Sequence, residues 1–131
     1  MARSRATEGG LAQALGAARA SLLAARVELI ERVDAASLPP AVEHALALAL
    51  REAVTNVVRH AHAGHCALTL KVERGMAVLR VADDGGALTA PPRAGNGLNG
   101  MRERAQALGG TLALHWADGL VLELSIPLET P

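Results

Sequence analysis

Aromatic residues are almost missing from this chain: Trp116 is the only one among 131 residues, and phenylalanine and tyrosine are absent. A hydrophobic core must therefore be assembled from alanine, leucine and valine. The shortage also excludes base stacking on aromatic rings, the usual way in which proteins hold single-stranded nucleic acid.

Net charge, cysteine pairs and long hydrophobic runs are missing as well. Thirteen basic and 13 acidic residues cancel, so no overall field attracts nucleic acid or an anionic membrane. The single cysteine, Cys66, excludes an internal disulfide and fits a reducing compartment. No apolar run approaches the roughly 20 residues that cross a bilayer, and the first ten residues lack the apolar core of a secretion signal. We expect one cytoplasmic domain over residues 1–131, with a frayed segment over residues 1–9.

The hydrophobic periodicity predicts both helices and strands. Apolar spacing of three and four residues favours helices over residues 11–26, 41–61 and 98–108, with Gly64 as a left-handed cap of the second helix. Alternation predicts a strand over residues 27–33 and two hairpins, formed by residues 66–74 with 76–84 and 111–116 with 120–126. This order predicts an α/β fold, a two-layer α/β sandwich with helices on one face of a mixed, mostly antiparallel sheet.

One helix carries an unusual row of polar side chains. In LREAVTNVVRHA, residues 50–61, Glu52, Asn56 and His60 recur every four residues, with Arg59 beside them. A carboxylate, an amide, a guanidinium and an imidazole in one row could hold a metal ion and phosphate together. A solvated helix face with an ordinary cap explains the same residues equally well.

Two glycine-rich segments follow this helix along the chain. Asp83-Asp84-Gly85-Gly86 ends a strand, and Gly95-Asn96-Gly97-Leu98-Asn99-Gly100-Met101 leads into a helix. Glycine lets the backbone approach a ligand, and free N–H groups at a helix start attract phosphate. Each segment alone is more often a simple turn, but three segments in a fixed order are more specific. Neither GxGxxG after the first strand nor GxxxxGK[ST] is present.

These segments resemble those of a known family. LREAVTNVVRHA, DDGG and GNGLNGMRERAQALGGTL look like the motifs of the ATP-binding catalytic domain of bacterial sensor histidine kinases, in the superfamily shared with DNA gyrase and the MutL mismatch-repair ATPases. Within it they most resemble the nitrate-sensor and DesK-type kinases. The resemblance implies the Bergerat fold, ATP with Mg²⁺ as cofactors, and phosphoryl transfer to a histidine.

The resemblance also implies roles for individual residues. Asn56 matches the catalytic asparagine that coordinates Mg²⁺ through its amide oxygen, and Glu52 matches the acidic residue that orients the attacking group or its water. Arg59 and His60 match residues that approach the phosphates and the ribose, and Asp83 matches the aspartate that binds the adenine amine. The remaining nucleotide contacts fall on the two glycine boxes: Gly85, Gly95, Gly97, Leu98, Gly100 and Met101.

Three further features bear on the nucleotide site. The resemblance makes Leu88 to Ala94 a short ATP lid, which Pro91 and Pro92 would stiffen. Ala87 stands where the family has the second glycine of the first box. Near Leu120 the family usually has a threonine that supports the adenine aspartate, and a leucine side chain cannot donate that hydrogen bond.

The family's phosphoacceptor histidine is followed by an acidic residue, and no histidine of this chain is. The five histidines are followed by Ala, Ala, Ala, Cys and Trp. We therefore expect the acceptor and dimerisation helices to be a partner of this domain, in a longer sensor or in a separate protein. A response regulator would be an indirect partner, and we expect neither nucleic acid nor membrane contact by this segment. The domain would lie in the cytoplasm and belong to a two-component signal transduction system. It could be the cytoplasmic part of a sensor that another segment anchors in the membrane.

Other interpretations remain. The domain could bind nucleotide as a regulatory module without transferring phosphate, or act as a serine kinase of the anti-sigma-factor type. A zinc site is a weaker alternative, because a second ligand pair at finger-like spacing is missing; its residues would be His60, His62, His65 and Cys66. Arg102 and Arg104 could reach phosphate, although a solvated helix face is the more common role.

Overall fold

The computed structural model describes residues 8–34, 37–61, 63–85, 96–116 and 119–128. Within these ranges lie three α-helices and five strands: α1 Gln13–Ala24, β1 Glu28–Asp34, α2 Pro40–Asn56, β2 His65–Glu73, β3 Met76–Asp83, α3 Asn96–Ala107, β4 Thr111–Trp116 and β5 Leu120–Pro127. Two π-helical segments adjoin the helices, Glu8–Ala12 before α1 and Val57–Ala61 after α2. Of the predicted frayed segment, residues 1–7 lie outside the described ranges, and residues 8 and 9 belong to the first π-helical segment.

The five strands form one sheet in the order β1-β2-β3-β5-β4. β1 runs parallel to β2, and the other three pairs are antiparallel. At one end of the β4–β5 pair, Trp116 lies opposite Leu120. The prediction of a mixed, mostly antiparallel sheet with helices on one face is confirmed, and so is the two-layer α/β sandwich.

Strand alternation supplies the sheet side of the core. Alternate residues of β2, β3 and β5 are buried against the helices, whereas the residues between them are more exposed. Leu46 and Leu50 of α2 are fully buried against this face. Every buried residue in the described ranges is apolar, and the largest are leucines, one isoleucine and Cys66. None of the helices in the described part of the chain combines the length and apolar character that crossing a bilayer requires.

The turns confirm one local prediction and correct another. Arg74 and Gly75 have φ of 55° and 73°, as a tight hairpin turn requires. Gly64, predicted to cap the second helix, does not adopt positive φ. The helical path ends in the π-helical segment at Ala61, so Gly64 instead begins the approach to β2. Its carbonyl oxygen accepts a hydrogen bond of 2.8 Å from the N–H of Glu28.

Strand register brings the ends of three strands to the same edge of the sheet: the start of β2, the end of β3 and the start of β5. Cys66, near the start of β2, pairs with Asp83 at the end of β3. On the other side of β3, Ala82 pairs with Val121, next to the start of β5. The end of β3 therefore lies between the starts of its two neighbours.

The helix ends follow from this arrangement. The π-helical segment after α2 stops at Ala61, four residues before β2 begins, which places the carboxyl end of α2 at the same edge. α3 contacts β4 and β5 and joins β4 through a short turn at the opposite edge, where Thr111 pairs with Ser125. The amino end of α3 therefore points back to the edge that carries Asp83.

Candidate functional site

Asn56 carries a buried polar atom without a partner. Its side-chain Nδ2 is inaccessible to solvent and makes no hydrogen bond to any residue the structure describes. Such groups are rare in folded proteins because burying an unpaired amide costs free energy. Glu52, one turn earlier, is half-buried on the same stripe of α2. An amide oxygen beside a carboxylate suits a hard cation such as Mg²⁺, and an amide N–H suits a phosphate oxygen, so these residues fit the implied metal and nucleotide.

Asp83 is held in place by the main chain on two sides. Its Oδ1 accepts a hydrogen bond of 2.8 Å from the N–H of Gly85 and a longer one, 3.4 Å, from the N–H of Leu120. Gly119 approaches so closely that a Cβ atom there would lie 2.9 Å from Oδ1 and collide with the Asp83 carbonyl. No described residue donates to Oδ2, which leaves this oxygen available to an amine.

Leu120 and Ala87 are the two residues that depart from the family pattern, and the structure describes only Leu120. Leu120 has a buried side chain, yet its main-chain N–H reaches Asp83, so the absence of a hydroxyl does not leave the aspartate without support from β5. The prediction considered only the side chain and missed this donor. Ala87 lies outside the described residues, as do Gly95 and the predicted lid, Leu88 to Ala94.

The described part of the second glycine box, from Asn96 onward, forms the first turns of α3. Gly97 lies in the first turn of this helix, and Gly100 follows in the next. Leu98 and Met101 are only 4% and 3% exposed, so their side chains belong to the core and their predicted part in nucleotide binding depends on main-chain groups. The side chain of Arg104 folds back over Gly100, and its Nη1 lies 3.2 Å from the point that a Cβ atom on Gly100 would occupy.

Arg59 lies apart from the stripe that carries Glu52 and Asn56. It lines a groove of about 430 Å³ between α1 and α2, together with Arg51 and Thr55. Small residues of α1 form the opposite wall: Ala14, Ala17, Ala18 and Ser21. The backbone of His60 belongs to the π-helical segment, which changes the helical repeat at this point. Arg59 therefore does not continue the stripe that a regular helix would form with Glu52 and Asn56.

Cys66 and His65, two residues of the alternative zinc site, do not point to a common metal position. Cys66 is fully buried on the helix side of the sheet, and this burial raises the pKa of its thiol to about 12. His65, the preceding residue, is exposed and directs its Nδ1 to Asp84, 2.8 Å away. His62 lies outside the described residues. Neighbouring residues of one strand point to opposite faces, which separates this thiol from this imidazole.

Three residues at this edge were not predicted as residues of the nucleotide site. Gly119 packs on Asp83, and Asp84 and His65 anchor the end of β3 to β2. All three depend on which residues pair across strands. The only sign available in the sequence is that Gly119 directly precedes the strand that pairs with the DDGG strand.

Comparison with known proteins defines the class. A family model for the histidine kinase-like ATPase domain matches residues 15–126. The fold is similar to that of the histidine kinase domain of the blue-light activated histidine kinase from Erythrobacter litoralis EL346, with a TM-score of 0.76, 22% identity, and coverage of 91% of this chain and 61% of that one. The chain therefore belongs to the histidine kinase-like ATPase domain family.

Relatives by sequence narrow this assignment. The chain is 40% identical to the sensor histidine kinase YxjM of Bacillus subtilis over 99 residues, 72% of this chain and 23% of the relative. It is 38% identical to the sensor histidine kinase DesK of the same organism over 88 residues, 65% of this chain and 24% of DesK. It is 34% identical to the nitrate/nitrite sensor protein NarQ of Escherichia coli over 98 residues, 72% of this chain and 17% of NarQ. The resemblance to nitrate-sensor and DesK-type kinases is confirmed, and the chain spans a quarter or less of each of these proteins.

Proposed function

We propose that this domain binds ATP with Mg²⁺ and presents the γ-phosphate to a histidine on the dimerisation helices of a sensor kinase. The observation that carries the proposal is that the strand register and the helix ends direct three groups to one edge of the sheet: an amide on α2 that no described residue bonds, a fixed aspartate at the end of β3 and the glycine-rich start of α3. Membership of the ATPase family supports the nucleotide, and the kinase relatives support the transfer.

Asp83 would recognise adenine. Its Oδ1 is occupied by two main-chain donors, so Oδ2 can accept a hydrogen bond from the exocyclic amine of the base. Guanine offers a carbonyl oxygen at the corresponding position, and a carboxylate repels it. Gly85 and Gly119 have no side chains and so allow close approach of the main chain to Asp83 and its ligand.

The amino end of α3 would hold the phosphates. N–H groups in the first turn of a helix have no acceptor within the helix, and the helix dipole favours negative charge there. Gly97 and Gly100 contribute no side chains of their own to these first turns. The guanidinium of Arg104, which lies over Gly100, is close enough to this turn to add positive charge.

Glu52 and Asn56 would act at the γ-phosphate end. Bound Mg²⁺ would neutralise charge on the phosphate oxygens, and the amide oxygen of Asn56 would hold it. Glu52 is placed one helical turn earlier, where its carboxylate can accept the N–H proton of an attacking imidazole and orient the ring. Catalysis would consist of positioning and charge neutralisation, which is the usual mode of phosphoryl transfer.

The acceptor histidine would come from a partner. Each histidine of this chain lacks the acidic residue that follows the family's phosphoacceptor, so the dimerisation helices would belong to a longer sensor or to a separate protein. A response regulator would then take the phosphoryl group. We place the domain in the cytoplasm, where ATP is available.

Calorimetric titration with ADP tests the nucleotide site. Asp83→Asn keeps an oxygen acceptor for the main-chain donors but replaces the free oxygen by an amide NH2, which donates and cannot accept from the adenine amine, so we expect affinity to fall roughly ten- to hundredfold. Asn56→Ala should remove the gain in affinity that Mg²⁺ provides and lower binding in EDTA to a smaller extent, through the lost amide N–H. Thr55→Ala, one residue away, is the matched control, because among the described residues its hydroxyl bonds only the carbonyl of Arg51. Full ADP affinity in Asp83→Asn would refute the adenine assignment.

A transfer assay separates the candidate activities. The domain is mixed with a separately produced dimerisation helix pair and ATP labelled on the γ-phosphate. Label that is lost in acid and stable in base identifies phosphohistidine and supports the proposal. Acid-stable label would indicate a serine kinase, and no label at saturating ATP would indicate a regulatory module.

A further inference from the structure

Two consecutive aspartates at the end of β3 are anchored to opposite neighbours. Asp83 accepts from the main chain of Leu120 on β5, as described above. Asp84 turns to the other side, where its Oδ1 accepts hydrogen bonds of 2.9 Å from the N–H groups of both Gly64 and His65. The N–H of Asp84 also donates to the carbonyl of His65 at 3.3 Å. The turn that begins at Asp83 is therefore fixed from both sides.

His65 closes this arrangement with its side chain. Its Nδ1 lies 2.8 Å from Oδ2 of Asp84, and its Nε2 lies 3.4 Å from Oε1 of Glu28 at the start of β1. Each ring nitrogen thus faces a carboxylate oxygen, and only the doubly protonated imidazolium can donate to both. All three side chains are about half exposed or more, so the ring exchanges protons freely with solvent.

We propose that His65 is a positioning residue for the nucleotide site, and that its protonation tightens the turn Asp83–Gly85 and raises the affinity for adenine nucleotide. The inference rests on the proposed function. The path is short: the imidazolium holds Asp84, Asp84 fixes the end of β3, and the adjoining Asp83 and Gly85 are joined by a hydrogen bond of 2.8 Å.

The direction of the pH dependence follows from the contacts. The hydrogen bond to Asp84, then the charges of Asp84 and Glu28, raise the pKa of His65 above its ordinary 6.5. The N–H and imidazole of His65 lower the pKa of Asp84 below its ordinary 3.8. A raised pKa in the folded state means that the contribution of His65 is complete below pH 6.5 and is lost as pH rises through the higher value. The contribution of Asp84 is complete above pH 3.8 and is lost as pH falls through the lower value, so the contact is strongest between these limits.

The described groups that face the ring are Asp84 and Glu28. Cys66, the next residue of β2, points to the other face of the sheet and is buried there. Asp83 directly precedes Asp84 and pairs with Cys66 in the strand register. Its Oδ1 is directed to Gly85 and Leu120. Within the described part of the chain, His65 is therefore the group of this cluster that changes its charge near neutral pH.

The test compares ADP affinity of the wild type and His65→Gln by calorimetry between about pH 6 and about pH 8.5. Glutamine keeps a neutral donor but does not titrate, and the protonation of ADP itself cancels in the ratio of the two dissociation constants. We expect the wild type to bind about two- to fivefold more tightly at the acidic end, as suits an exposed ion pair, and the ratio to approach one at the alkaline end. His44→Gln is the matched control, since His44 is exposed near the amino end of α2, and it should behave as the wild type throughout.

A second readout does not require nucleotide. The NMR order parameter of the Gly85 amide should be lower in His65→Gln than in the wild type at about pH 6, and equal at about pH 8.5. An affinity ratio of one, or one that does not change with pH, together with an unresponsive Gly85 amide, would overturn the inference. If the wild type fails to bind ADP while the Gly85 amide still follows the protonation of His65, the positioning contact stands and the proposed nucleotide function is rejected.

Discussion

Replacing Gly119 by alanine is the sharpest perturbation of the aspartate that would bind adenine. Gly119 has φ of 141°, which side chains of L-residues rarely allow. A Cβ atom at this position would lie 2.8 Å from the carbonyl carbon of Asp83 and 2.9 Å from its Oδ1, and it would overlap the carbonyl oxygen. The obstacle is main chain, which cannot rotate away as a flexible side chain would.

The expected magnitude combines backbone strain with the forced displacement of β3. A residue held in a disfavoured φ region and an overpacked contact each cost about 1–3 kcal/mol, so we expect a loss of unfolding free energy of about 2–6 kcal/mol. Because Asp83 must move relative to Leu120 and Gly85, ADP affinity should fall by at least about tenfold in protein that remains folded.

Two other glycines provide the controls. Gly75 also has positive φ, 73°, but nothing lies within 4 Å of a Cβ there, so Gly75→Ala should cost about 1 kcal/mol and leave ADP affinity unchanged. Gly16 lies in α1 with open space around it, so Gly16→Ala should stabilise by about 0.5–1 kcal/mol. Urea unfolding measures the stabilities, and calorimetry at a temperature where each variant is folded measures ADP binding. Equal behaviour of Gly119→Ala and Gly75→Ala in both assays would refute the reasoning.

Three other variants or treatments probe the fold. Gly110→Ala should lower the unfolding free energy by about 2–4 kcal/mol in urea unfolding, because its Cβ would lie 3.1 Å from the Cα of Ile126 and collide with the carbonyl of Ser125. A cost below about 1 kcal/mol would contradict this packing. Cys66, buried and with its pKa raised to about 12, should resist a thiol reagent at neutral pH until urea unfolds the domain, and rapid native-state labelling would contradict its burial. Glu31→Gln removes an exposed ion pair with Arg19, 2.7 Å long, and should lower the unfolding free energy by at most about 1 kcal/mol. The pair lowers the pKa of Glu31, so the difference in stability between wild type and variant should vanish as pH falls through that pKa. A difference that persists in acid would be inconsistent with the pair.

The elements of this fold were predictable because their sequence patterns are local. Alternating residues in β2, β3 and β5 give a period of two, and a glycine after Arg74 marks a tight hairpin. The helix ends were harder to predict. α2 turns into a π-helical segment at Val57, and the resulting change in repeat places Arg59 in the groove beside α1. No side-chain pattern in that segment distinguishes a π-helical turn from an α-helical one.

The site was predictable in its motifs and not in its contacts. Asn56 and Asp83 stand in segments whose composition is unusual in itself, which is why they were identified. The contact of Asp84 with His65 joins residues 19 positions apart, and it depends on the register of β2 against β3. The donor at Leu120 is a main-chain group, which every residue but proline possesses, so its importance emerges only once strand pairing is known.

Trp116 gives the domain a built-in optical probe. It is the sole indole of the chain and there is no tyrosine, so intrinsic fluorescence excited in the near ultraviolet arises from a single position. Its backbone pairs with Leu120, the residue whose N–H reaches Asp83. Emission recorded during a titration or a rapid-mixing experiment therefore reports on this corner of the sheet without a label and without background from a second fluorophore.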